Sequence, residues 1–163
     1  MKRTAIKGGA IALLFAGFAA MPATAAETVT SYETTAPFDE VRQDLSDAIV
    51  NRGYVIDYEA FVGDMLARTG ADVGAEKTIF QDGRANIMQF CSAVLSRKAM
   101  EADVMNLSFC PYGLFVYESA DATGTVTVGF RRLDESGSEE SKAALGEINA
   151  VLDEIAKEVA GTE

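Results

Sequence analysis

Leu145, Ile148, Leu152, Ile155 and Val159 recur at alternating spacings of three and four residues, which builds one continuous apolar stripe along a C-terminal helix. A stripe of that kind has to be covered. The preceding chain supplies the cover: runs rich in β-branched and aromatic side chains at 28–34, 54–61, 86–91, 112–118 and 125–132 read as short strands. The expected fold is therefore α+β, a sheet of about five strands with the terminal amphipathic helix docked on it rather than held out for a partner chain.

Local signals fix several boundaries. Pro37 suits a first helical turn, Asp39 and Glu40 favour its positive end, and Phe38, Val41, Leu45, Ala48 and Ile49 form the buried stripe of a helix that Gly53 ends. Residues 63–74 read as a short helix or a loop carrying Met65 and Leu66. Ile79 and Phe80 look like strand material cut off from 86–91 by the turn signal Gln81-Asp82-Gly83. From Ser92 to about Asn106 the pattern is helical, and Asp121 to Gly124 reads as a hairpin loop between the last two strands. A hinge at Ser136-Gly137-Ser138 divides a main domain, residues 26–135, from the terminal segment, residues 136–163.

The start of the chain has a different design. Met1-Lys2-Arg3 and Lys7 form a basic n-region, Gly8 to Met21 an apolar h-region, and Ala23-Thr24-Ala25 an A-x-A cleavage site. Residues 1–25 are thus expected to be a secretory signal peptide, with Ala26 or Glu27 the first mature residue. The apolar run is shorter than the roughly 20 residues that cross a bilayer, and no cysteine near the cleavage site offers a point of lipid attachment. The expected location is periplasmic or secreted, with no membrane insertion after cleavage. Cleavage removes Lys2, Arg3 and Lys7 and no acidic residue, leaving eleven basic against twenty-five acidic residues and a formal charge of minus 14. Such a surface repels phosphate backbones, so nucleic acid is not an expected partner. The remaining stretch of about 138 residues is long enough for one domain with a real core.

No histidine is present, which removes Ser-His-Asp and Cys-His catalysis in their ordinary forms, His-ligated zinc and blue copper. Neither a dinucleotide fingerprint after a strand nor a P-loop occurs. No cofactor is expected, and the sequence leans away from an enzyme.

Cys91 and Cys110 are the only cysteines. Cys91 closes the third strand and Cys110 precedes the fourth, so they can pair if those strands are antiparallel neighbours and cannot if they are parallel. A structural disulfide, buried inert thiols and a functional thiol or metal site are all open. In the last case Cys91 and Cys110 would hold Cu(I) with Met88, Met100 or Met105, because thiolate and thioether ligands select that ion.

The stretch from Phe90 to Glu118 resembles the family known as domain of unknown function 302. The family's pattern of Cys, then Leu, then Ala, then Ala-Asp, then Pro before a strand ending Val-Tyr-Glu is matched by Cys91, Leu95, Ala99, Ala102, Asp103, Pro111, Val116, Tyr117 and Glu118. Upstream, Phe38 to Gly53 followed by a strand fits the family's opening helix, and the resemblance covers roughly residues 30–133. Two details differ: Ser92-Ala93 stand where the family often has Asn-Pro, and Cys110 lies before the proline, with Tyr112 in the place of the second cysteine. The run Phe109-Cys110-Pro111-Tyr112 is similar to an exported subgroup. The resemblance implies a mostly antiparallel sheet with helices on one face, and it brings no reaction.

The function expected is a non-enzymatic module that binds a small ligand or a protein partner outside the cytoplasm. Its handle would be Phe90, Phe109, Tyr112, Phe115 and Tyr117, although strands also bury such residues simply as core. The alternative is a thiol redox protein or Cu(I) carrier, for which Cys91, directly before a helix start, has a position that lowers a thiol pKa.

Overall fold

A computed structural model describes residues 28–162; the leader expected at residues 1–25 lies outside them. The elements run β1 (Val29–Thr34), α1 (Phe38–Asn51), β2 (Val55–Phe61), α2 (Val62–Thr69), β3 (Phe80–Cys91), α3 (Ala93–Ala102), β4 (Tyr112–Ser119), β5 (Val126–Arg131) and α4 (Glu139–Ala160). Short 3-10 turns occupy Ala71–Val73 and Val104–Phe109. One five-stranded sheet has the order β1-β5-β4-β3-β2, with every neighbour antiparallel. The α+β fold and the antiparallel sheet are as expected.

Helices cover one face of this sheet. Val41, Leu45 and Ile49 of α1 and Leu145, Ile148, Leu152 and Ile155 of α4 join Met88, Phe90, Leu114, Val116, Val128 and Phe130 in a single buried cluster. Ala99 of α3 belongs to the same core. Burying one such aliphatic side chain contributes about 1.5–3 kcal/mol, so the four of α4 together contribute roughly 6–12 kcal/mol gross. That is as large as the net stability of a typical domain. The terminal helix is therefore an integral wall of the core.

Polar groups are closed off with equal care. Ser92 and Ser138 cap α3 and α4 by accepting from the backbone N–H groups of Leu95 and Ser141. Asn149 of α4, buried, accepts from Leu133 N at 2.9 Å and donates to Leu133 O at 2.9 Å, pinning the segment that leaves β5. Asn106 likewise donates to Ala99 O and to Ser141 Oγ, both at 2.8 Å. Among the described residues no buried side-chain nitrogen or oxygen lacks a partner.

Two local expectations are corrected. The Gln81-Asp82-Gly83 turn signal does not split the strand: β3 runs unbroken from Phe80, and its pairing with β4 shifts register between Phe80 and Ala85. Asp82 and Gly83 adopt φ of 47° and 74°, so the local conformation a turn would use is spent on a bulge within the sheet. Residues 92–106 are not one helix either. Asp103 takes an extended conformation, ends α3 and caps the following 3-10 turn by accepting from Met105 N.

Candidate functional site

Successive strand residues point to opposite faces, so β4 divides the aromatic candidates by parity. Tyr112 points to the helix side, where Phe90 packs edge-on to it with ring centres 6.0 Å apart. Tyr112 also shares a 2.8 Å hydrogen bond with Ser96 Oγ, and desolvation raises its phenol pKa above the ordinary value. Phe109 packs against the edge of the same core. Phe115 and Tyr117 point the other way. The five candidates thus divide into a core group of Phe90, Tyr112 and Phe109 and an outward pair, although Phe109 and Tyr112 border one hollow together with Phe115.

Among the described residues only the short helix α2 packs on that second face, against β3 at one end, where Val62 borders Phe80, Ile87 and Tyr117; α1, α3 and α4 leave the rest uncovered. Register places Ile87 opposite Phe115, and Ala85 opposite Tyr117. The rings of Phe115 and Tyr117 stack with centres 6.0 Å apart, and Phe80 lies 5.7 Å beyond Tyr117, giving three rings in a row. At the margins Val55 and Tyr58 of β2 are 72% and 61% exposed. An antiparallel sheet with one solvated face ordinarily turns polar side chains outward. Here Ile87, Phe115 and Tyr117, all half-buried, are among the outward set.

Two adjoining hollows lie on this face and share Ile87 and Phe115. One, of about 480 Å³, is lined by Val62, Ile79, Phe80, Ala85, Asn86, Ile87, Phe115, Val116, Tyr117 and Ser119, none of them charged. The other, of about 340 Å³, is bounded by Gln89, Ser108, Phe109, Pro111, Gly113, Arg131 and Arg132 among others. Each falls in the size range of small-molecule sites. Arg132 pairs with Glu135 at 3.1 Å, whereas the exposed Arg131 makes no side-chain hydrogen bond or ion pair among the described residues. Val62, Ile79, Phe80, Ile87 and Arg131 were not among the site residues expected from sequence; for Ile87, strict alternation along β3 was the available signal.

Cys91 and Cys110 are bonded, with sulfurs 2.01 Å apart and Cα atoms 6.4 Å apart. Antiparallel pairing of β3 with β4 puts the end of one beside the start of the other, which is the arrangement the pairing required. Both cysteines are half-buried. The methionines considered as soft ligands are scattered: Met88 is buried on the helix side, opposite in parity to Cys91, Met100 is half-buried on α3, and Met105 is 70% exposed. Among the described residues no group of three or more Asp, Glu or Cys side chains is arranged to hold a metal ion, and no helix is long and apolar enough to cross a membrane.

Arginine–carboxylate pairs brace the helix side at its open end. Glu59 binds Arg42 through both oxygens, at 2.7 and 2.6 Å, and accepts from Asn86 at 2.8 Å. Glu118, only 4% exposed at its side chain, accepts from Gly124 N at 2.7 Å and from Arg84 at 2.7 Å. Those bonds hold its carboxyl below the usual glutamate pKa. Each carboxylate is fully engaged, so these groups serve the fold.

A family model matches residues 29–160, from the first residue of β1 to the last of α4. The chain belongs to the DUF302 family, a domain of unknown function. The DUF302 match therefore includes the terminal helix that closes the core. A crystal structure of an uncharacterized conserved DUF302 protein from Bacillus stearothermophilus is similar in fold, with a TM-score of 0.67 at 14% identity, covering 83% of this chain and 99% of that one. No curated protein matches the chain.

Proposed function

We propose that this DUF302 domain is an exported, non-enzymatic module that binds a small ligand or a partner on the uncovered face of its sheet. The row formed by Phe80, Tyr117 and Phe115 on the face that α1, α3 and α4 leave uncovered carries the proposal. The leader pattern at residues 1–25 supports export, and the lack of histidine in the chain supports binding over acid–base chemistry. Nile red, a neutral dye that brightens in apolar surroundings, should light up with the native protein. Phe115→Ser combined with Tyr117→Ser should dim it several-fold while the far-UV circular dichroism stays unchanged. A native protein that leaves the dye dark, or a variant that binds it as well as the parent, would end this proposal.

A second function rests on one observation: Cys91 directly precedes Ser92, the N-cap of α3, where a reduced thiol would be stabilised as thiolate. Alkylation of native, exported protein separates the two functions. A thiol redox protein reacts rapidly after mild reduction and recovers its disulfide from a partner, while a structural bond yields its thiols only on denaturation.

A further inference from the structure

Charge is distributed unevenly over the open face. The chain has twenty-five acidic and fourteen basic residues, yet no carboxylate lines either hollow among the described residues. The larger hollow is wholly uncharged and the smaller one ends in two arginines, of which Arg131 has no acidic partner among the described residues. Ile87 and Phe115 belong to both, so the apolar floor runs directly into the cationic end.

We infer that the open face holds a free single-chain anionic amphiphile, a fatty-acid-like carboxylate whose chain lies along Phe80, Ile87, Phe115 and Tyr117 and whose head meets Arg131. This inference rests on the open face being a binding surface. An anion is not barred by the negative protein, because at physiological salt charges more than about 8 Å away are largely screened, the hollow itself is lined by guanidinium groups and, among the described residues, no carboxylate, and the acidic Glu135 nearby is paired with Arg132. A guanidinium also presents paired N–H donors that match the two oxygens of a carboxylate. A neutral apolar ligand would leave Arg131 unused, and a cationic one would meet it with repulsion.

The test compares three amphiphiles of equal chain length below their micelle concentrations, decanoate, decyl glucoside and decyltrimethylammonium, by titration calorimetry and by displacement of Nile red. Decanoate should bind about tenfold more tightly than the glucoside, as a charge-assisted pair predicts, and the cation most weakly. Arg131→Gln should bring decanoate down to the glucoside's affinity, and Arg131→Lys should restore part of the difference. Equal affinities for all three would overturn the anionic assignment and leave the open face standing as a binding surface. Failure of all three, with Nile red dark as well, would remove both. Flotation with anionic phospholipid vesicles but no affinity for decanoate would also overturn the assignment, in favour of a membrane surface.

Discussion

Replacing Gly63 with alanine tests the packing that builds one wall of the open-face groove. Gly63 is the buried residue of α2, and a Cβ added there would stand 2.1 Å from Gly83 O, 2.4 Å from Gly83 C and 2.9 Å from Ala85 N. All three are backbone atoms of β3, so no side chain can swing aside. The first contact falls about 1.4 Å short of the roughly 3.5 Å at which non-bonded heavy atoms meet. Forcing it would exceed the 1–3 kcal/mol typical of an overpacked core, roughly speaking, and α2 relieves it by leaving the sheet. That escape exposes Val62 and Leu66, both half-buried, at a combined cost of about 2 kcal/mol. The expected loss is thus about 2 kcal/mol, or roughly 6 °C in melting temperature for a domain of this size. Gly146→Ala is the matched control: it lies within α4, and its new Cβ would meet only the end of the Glu135 side chain at 3.5 Å. Helix propensity then dominates and the melting temperature should rise by roughly 3 °C, about 1 kcal/mol. Calorimetry of the two variants decides, with Nile red as a second readout because Val62 lines the larger hollow. If Gly63→Ala were as stabilising as Gly146→Ala, the close approach of α2 to β3 would be wrong.

Three further outcomes follow from the same geometry. Cys91→Ala with Cys110→Ala opens a loop of sequence separation 19 and should lower stability by about 3 kcal/mol on the chain-entropy account; a reductant should shift the urea midpoint of the parent and not of the variant. Asn149→Ala leaves the N–H and C=O of Leu133 without their partner in a buried site, which should cost about 2–4 kcal/mol in urea denaturation; a loss below half a unit on that scale would mean that water replaces the amide. Glu118 has its pKa lowered in the folded protein, first by Gly124 N–H and then by Arg84, so its contribution is complete above the unfolded value of about 4.3 and is lost as pH falls through the lower folded value. Because Arg84 is half-exposed, Glu118→Gln should cost only about 1 kcal/mol at neutral pH, and parent and variant should converge in acid; a gap that persists at pH below the folded value would assign the effect to shape instead of charge.

Much of the fold was legible because burial repeats at the period of each element. The stripes of α1 and α4 occur where three-to-four spacing puts them, and ten residues of α4 are buried. Asp82 and Gly83 misled because their backbone preference is local, while the choice between ending β3 and bulging it was made by β4, whose strand continues opposite. The disulfide was legible only as a conditional, since strand direction is a property of the whole sheet. The candidate site was half legible. Phe115 and Tyr117 stood out as aromatics, but grouping them with Phe90 and Tyr112 ignored the two-residue alternation of a strand. Ile87 and Arg131 reach the same surface through register with β4 and β1, which no short window of sequence contains.

The open face could in principle be a mere gap, a side of the sheet the chain had too few helices to cover. Its detail supports the proposed binding surface instead. Gly129 lies opposite Phe115 in the register, and a Cβ at Gly129 would sit 2.6 Å from Phe115 Cζ; the ring is therefore seated down onto the strand where a glycine makes room for it. Thr127, opposite Tyr117, is buried although it belongs to the uncovered side. Rings held in this way have already given up rotamer freedom in the folded state. A ligand that lies on them has less side-chain entropy to overcome than one that must order loose aromatics. Seating a ring on a glycine also stabilises the sheet by itself, so what it adds to the proposed binding surface is this lower ordering cost.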